Sequence, residues 1–404
     1  MHTRSCTKVL AVLTTAALAA TVSLVLAPAV SARDHLPSEG RVDDAAGSGV
    51  IVLNGQGNDL DAYEGAPPFD TQKLYTARSK DPKGFDINAQ ICFFGKGGRT
   101  FIAGEDTGQP DPIQGWGIFR LKGSKVGKLE VKQIGKLQPT YQGATDNAEN
   151  YGCGLLSDGR LLTTDIGNQA EGVGDGQLIV WFPPFTKGFR TVAEGTYGKV
   201  AYCKVDIAIG TSGGIAVDDD DNVYVASQRG DGAGILRYEG ADFPTGPTPA
   251  DGCDSTDGTG APMATGITHE QFIVPGNGLI APSAIVPSPN GGWFVSSVFP
   301  GAINEYGVNG DYYRTILEAP AGEGLGAEPI STGTPLGLGI APDGTLYFAD
   351  IGLVISDDGR IGPGRGTGTV RRITFVNGEP QPPETMATGL AFPDGIGIFV
   401  PRKR

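Results

Sequence analysis

Histidine, methionine and tryptophan are scarce in this chain, with three of each among 404 residues. His2 lies in an N-terminal stretch that reads as a leader, which leaves His35 and His269 as the available imidazoles. A Ser-His-Asp arrangement and histidine-rich zinc or copper sites are therefore disfavoured. Beyond residue 32 there is no helix-length amphipathic periodicity, and no later segment is apolar enough to cross a bilayer. Positive charge is in deficit: Lys and Arg total 31 against 45 Asp and Glu, for a net charge of −14, or about −16 once a leader carrying Arg4 and Lys8 is removed. Such a balance repels nucleic acid and anionic lipid and favours cations or cationic partners.

Turn formers are abundant, with 64 Gly and 29 Pro. They sit between short apolar runs, which argues for many β-turns rather than disorder. At the N-terminus, His2, Arg4 and Lys8 precede an uncharged run from Val9 to Leu26, and Ala29-Val30-Ser31-Ala32 stands before Arg33. This order reads as a secretory signal peptide cleaved after Ala32, giving a secreted protein; an uncleaved anchor is the alternative, because the run is nearly long enough to span. Cys6 precedes the apolar run, which argues against a lipoprotein anchor. The expected organisation is a leader over 1–32, a tail over 33–47 and one folded ring over 48–401.

Six times a small residue opens a short apolar strand, followed by a tight polar turn and a second apolar strand. The clearest copies are Gly214-Ile215-Ala216-Val217 with Asn222-Val223-Tyr224-Val225-Ala226, and Gly337-Leu338-Gly339-Ile340 with Thr345-Leu346-Tyr347-Phe348-Ala349. Others start at Ile91, Gly152 and Ala284, and the last, Gly395 to Val400, ends the chain without its partner strand. The starts recur about every 60 residues, the mark of radial repetition. Residues 49–53, 60–63 and 73–76 form three strands that lack an inner strand. Pairing 395–400 with them closes a six-bladed β-propeller, an all-β fold with no free sheet edge at the seam.

Four cysteines follow the leader: Cys92, Cys153, Cys203 and Cys253. An even number in an exported chain implies disulfides. Cys92 and Cys153 occupy the same place in adjacent repeats and are expected to pair, with Cys203 and Cys253 pairing by exclusion. The acidic, Gly-rich stretch from Asp251 to Pro262 reads as an insertion stapled by its cysteine.

Function in a ring of blades belongs on the loops around the central channel. Those positions carry Asn88, Gln90, Glu105, Asp106, Glu149, Asn150, Asp165, Asn168, Ser212, Gln228, Arg229, Ser283, Asp350 and Asp394, with Asn54, Gln56 and Asn58 from the N-terminal blade. Carboxylates and amides dominate, which suits Ca²⁺ or Mg²⁺ rather than zinc or copper, and puts Ca²⁺ ahead of Zn²⁺. Asp165 and Asp350 recur at equivalent places, where an aspartate also fixes a turn. Asp394 and Asn150 break the repeat and are the sharper candidates. Several strings carry less than they suggest. Gly210-Thr211-Ser212-Gly213-Gly214 matches a nucleophile elbow but precedes a strand instead of a helix. Asp218 to Asn222 reads as a hairpin turn, and Gly362 to Gly368 lacks the lysine and helix of a phosphate cradle.

The blades at 214–226 and 339–350 resemble NHL-type repeats and the senescence marker protein and gluconolactonase-like propellers. That resemblance implies a calcium- or zinc-dependent lactone or ester hydrolase with a metal at the centre of one face, whereas NHL-type members often bind proteins or polymers without catalysis. Pro393-Asp394-Gly395 matches the family's Pro-Asp-Gly motif, and Asn150 resembles its asparagine ligand by position. The family's N-terminal glutamate motif is not recognisable here. The leading expectation is a metal-dependent hydrolase with the ion held by Asp394, Asn150 and Glu149, and Asp165 or Asp350 as base. Gln90, Asp106, Asn168, Gln228, Arg229 and an exposed Trp116 would contact a small-molecule or polymer ligand. The alternative is a non-catalytic extracellular module for carbohydrate, cell-wall polymer or protein. The protein is expected to be a monomer.

Overall fold

A computed structural model describes residues 46–77, 87, 90–95, 97–105, 115–140, 150–165, 176–191, 198–210, 212–228, 233–276, 279–298, 300–318, 334–355, 361–363 and 366–401. The chain divides into two units, Met1–Arg41 and Val42–Arg404. The first unit, with the expected leader and most of the expected tail, lies outside the described residues.

Six sheets form the blades of a propeller, with two short two-stranded ribbons beside them. The first blade is Asp59–Glu64 and Thr71–Thr76 on one side of Ile51–Gln56, with Pro393–Phe399 on the other. The second is Cys92–Phe94, Thr100–Glu105, Gly115–Lys122 and Glu130–Lys136, and the third is Asn150–Leu155, Leu161–Asp165, Gln177–Trp181 and Tyr202–Asp206. Ser212–Val217, Val223–Ser227, Gly234–Tyr238 and His269–Ile273 make the fourth; Pro282–Pro287, Trp293–Ser297, Ala302–Tyr306 and Tyr312–Leu317 the fifth. The sixth is Pro335–Ile340, Leu346–Asp350, Gly368–Ile373 and Glu384–Leu390. The seam closes as the sequence predicts: Ile51 pairs with Phe399, Val52 with Ile398 and Leu53 with Gly397, antiparallel.

Burial follows from blades stacking face to face. Second strands such as Leu161–Asp165 and Leu346–Asp350 are buried at every position, since both faces meet a neighbouring blade. Outer strands such as Tyr312–Leu317 and His269–Ile273 begin exposed and carry polar or charged side chains. Near the axis the gap between blades is too narrow for side chains on both sides. A Cβ on Gly152 would lie 2.4 Å from the Gly213 carbonyl oxygen of the next blade, which explains the glycines that open the inner strands.

Both disulfides form as expected. Cys92–Cys153 ties the inner strands of the second and third blades, and Cys203–Cys253 holds the insertion to the rim of the third. There Ser255–Thr256 and Pro262–Met263 extend the sheet, the latter pairing parallel with the outer strand through Lys204 and Met263. Lys204 and Asp257 form a buried ion pair beneath this extension. Disulfides of this kind accord with an oxidising compartment. Among the described residues, no helix is long and apolar enough to cross a membrane.

Candidate functional site at the channel mouth

Five inner strands start with the same irregularity. Pairing slips between Asn150 and Cys153, Ser212 and Ile215, Pro282 and Ile285, Pro335 and Leu338, and across Pro393 to Ile396 opposite Gln56 and Asn54. A bulge re-aims the side chains it contains. The second residue of each bulged start is Tyr151, Gly213, Ser283, Leu336 and Asp394. Proline opens three of these strands, where its missing N–H costs no ladder bond. Two of those prolines follow a residue with positive φ: Ala281 at 49° before Pro282, and Phe392 at 51° before Pro393. For an aromatic residue ahead of proline this is a strained conformation, and strain of this sort gathers at functional sites.

Tyr151, Ser283 and Asp394 come from the third, fifth and first blades, and they meet across the axis. The Tyr151 hydroxyl lies 2.9 Å from Ser283 Oγ and donates to Asp394 Oδ1 at 3.3 Å. Gln228, from the fourth blade, donates its Nε2 to Ser283 Oγ at 3.0 Å. Each hydroxyl has one proton, so with Asp394 ionised the series runs one way: Gln228 donates to Ser283, Ser283 to Tyr151, and Tyr151 to Asp394. Asp394 and Ser283 are buried, while Tyr151 and Gln228 are half-buried and form the outer layer. Burial pushes the Asp394 carboxyl well above its ordinary range, with the Tyr151 hydrogen bond pulling the other way. Asn54 Nδ2 donates to the Gly395 carbonyl at 3.0 Å and fixes the strand that carries Asp394. Beside this cluster, Val298, Leu336 and Ile351 pack together, and Tyr151, Leu353 and Phe392 lie against them. The mouth thus combines a buried acid, two hydroxyls and an apolar flank.

The other expected site residues divide clearly. Asp350 accepts from Thr334 Oγ1 at 3.0 Å and from the Gly352 amide at 3.1 Å, so one of its oxygens fixes the turn after its strand. Burial raises its pKa, with the hydrogen bonds of Thr334 and Gly352 opposing. Asp165 is buried on the second strand of the third blade and engaged with a neighbour, level with Asn150 on one side and Gln177 on the other. Gln90 spends its amide on backbone: Oε1 accepts from the Cys153 and Ile215 amides, and Nε2 donates to the Ile215 carbonyl. It joins three blades and has little left to offer a ligand. Trp116 is a correction. Expected as an exposed loop residue, it sits inside Gly115–Lys122 at 2% exposure, among Ile118, Trp181 and Phe94, because its strand is packed on both faces. Glu149, Asp106, Asn168 and Arg229 lie outside the described residues, as does Asn88.

Tyr151 is the residue that sequence reasoning passed over. Aligning the inner-strand starts places it level with Ser283 and Asp394, one position after Asn150, and that alignment is the signal that could have found it.

A calcium ion takes six to eight oxygens. Among the described residues, no three acidic, histidine or cysteine side chains converge. Around Asp394 the neighbours are the hydroxyls of Tyr151 and Ser283. Of the expected metal set, Asp394, Asn150 and Glu149, the two described members bring a single carboxylate. The described donor set does not fit a divalent cation, and no chemical step is assigned to one.

No protein-family profile matches the chain. No curated protein matches it by sequence. Solved structures similar to it include a luciferin-regenerating enzyme, 12% identical over 81% of this chain and 96% of that one, TM-score 0.49. Regucalcin from Agrobacterium tumefaciens, described as a calcium-binding protein, is 16% identical over 78% and 82%, TM-score 0.45. A chain of a nidogen/laminin complex is 10% identical over 86% and 98%, TM-score 0.49. The six-bladed ring rests on the strand pairings above and not on these likenesses.

Proposed function

We propose that this protein is an exported hydrolase of small, uncharged lactones or esters, acting at the channel mouth without a metal ion. One observation carries the reading: the hydrogen-bonded series Gln228, Ser283, Tyr151, Asp394, drawn from four blades onto the channel axis. A carboxyl group in an apolar setting is suited to take a proton from water near neutral pH. The Tyr151 hydroxyl, held by Ser283, donates to that carboxylate and fixes its orientation at the mouth. In hydrolysis, Asp394 accepts a proton from water as the water oxygen bonds to the carbonyl carbon. The C–O bond to the leaving alkoxide then breaks, and the proton held by Asp394 passes to that alkoxide. The apolar flank of Leu336, Ile351 and Phe392 favours a substrate with a hydrocarbon portion.

The test is a panel of lactones and aryl esters offered to the purified protein with and without chelator. Turnover that survives chelator and is lost in Asp394→Asn supports the reading. Turnover restored only by added calcium, or no turnover of any member, overturns it.

A further inference from the structure

The third blade carries two amides and an acid at its channel-mouth end. Asn150 pairs with Asp165, and Asp165 with Gln177, so three polar side chains stand level across three adjacent strands. The same level holds Pro282, Ser297 and Ala302 in the fifth blade and Pro335, Asp350 and Thr369 in the sixth. Gln177 is 4% exposed, and among the described residues its Oε1 has no hydrogen-bond partner, nor does the buried Asn150 Nδ2. A buried acceptor and a buried donor left unpaired each forfeit stability, and here one of each stands on a single level of a single blade. The packing needs of the blade do not explain them, since the fifth blade makes the same level from Pro, Ser and Ala.

We infer that Asn150 and Gln177 form a binding subsite for a neutral carboxamide, its carbonyl accepting from Asn150 Nδ2 and its N–H donating to Gln177 Oε1. Two strand spacings, about 9.6 Å, separate the backbones of these residues. A planar amide offers its acceptor and donor on separate atoms, which suits that span better than a single hydroxyl. Asp165 between them, when ionised, repels an anion and so selects against a carboxylate. Asn150 adjoins Tyr151, so an amide bound here lies beside the hydroxyl series of the mouth. The subsite stands whether or not the mouth hydrolyses esters, because its test reads binding alone.

The probe is acetamide, soaked into crystals of the protein and titrated by NMR, with acetate and N,N-dimethylacetamide as controls. Acetamide is expected between Asn150 and Gln177, and both controls are expected to leave the site to water. Gln177→Met is expected to weaken acetamide binding about tenfold, the loss of one ordinary hydrogen bond. The same variant is expected to melt no lower than the parent, since it removes an unpaired buried oxygen. Ordered water alone under acetamide, equal binding of dimethylacetamide, or unchanged binding in Gln177→Met each overturns the subsite.

Discussion

Gly337 faces the backbone carbonyl of Asp394 so closely that a Cβ on the glycine would lie 1.9 Å from the oxygen. The sixth blade is thus pressed against the strand that carries the acid. Gly337→Ala is expected to destabilise the fold by about 3 kcal/mol, because backbone must move to admit the methyl group. Denaturant melts will show it, and Gly213→Ala, whose added Cβ would lie 2.6 Å from the Ser283 carbonyl oxygen, is expected to cost less than Gly337→Ala.

The hydroxyl series has an order, and variants should respect it. Asp394→Asn and Tyr151→Phe are expected to lower ester or lactone turnover about 10²–10⁴-fold, the usual contribution of acid–base groups. Gln228→Met, at the far end, should cost about tenfold, since it only orients Ser283. Equal losses at both ends in steady-state kinetics would contradict the series.

The ion pair under the third-blade insertion makes an acid-dependent prediction. Burial alone would raise the Asp257 carboxyl, but hydrogen bonds from Lys204, Thr259 and the Thr259 and Ala261 amides outweigh it and hold it below its ordinary 3.8. Folded Asp257 therefore binds its proton less readily than unfolded Asp257. Its contribution is complete above that ordinary value and is lost as pH falls below it. Asp257→Asn leaves Lys204 buried without its charge partner and is expected to cost about 3 kcal/mol at pH 7. The difference in Tm from the parent should shrink towards pH 2, and a difference constant with pH would refute the account.

Each disulfide closes a long loop, 61 residues for Cys92–Cys153 and 50 for Cys203–Cys253. Chain-entropy reasoning gives each about 4 kcal/mol. The paired serine variant at Cys203 and Cys253 should lose stability while keeping channel-mouth activity. The pair at 92 and 153 should lose both, because Cys153 lies two residues from Tyr151. Calorimetry and the ester assay on the same samples separate the two cases.

The ring was legible because its information is local and repeated. Gly-X-Gly openings mark where neighbouring inner strands approach, and apolar second strands such as Val223–Ser227 are buried on both faces. Outer strands such as Glu130–Lys136 and Glu384–Leu390 were not legible: at the rim one face meets water, and mixed polar sequence reads like loop. The site was half legible. Asp394 stood out by breaking the repeat, but the bulge at each strand start turns side chains by one place, so that Asn150 drew attention while Tyr151 crosses the channel. Trp116 misled because an aromatic beside glycines resembles a ligand platform until the neighbouring blade is set against it.

The seam has a consequence for how the site comes into being. Tyr151 and Ser283 belong to blades complete in themselves, whereas Asp394 rides on the strand that locks the first blade. A chain stopped before Pro393 can stack most of its sheets yet lacks the carboxyl that Tyr151 meets. On the proposed chemistry, activity at the mouth is therefore a report on closure: Asp394 reaches Tyr151 in the same event that makes the protein a circle.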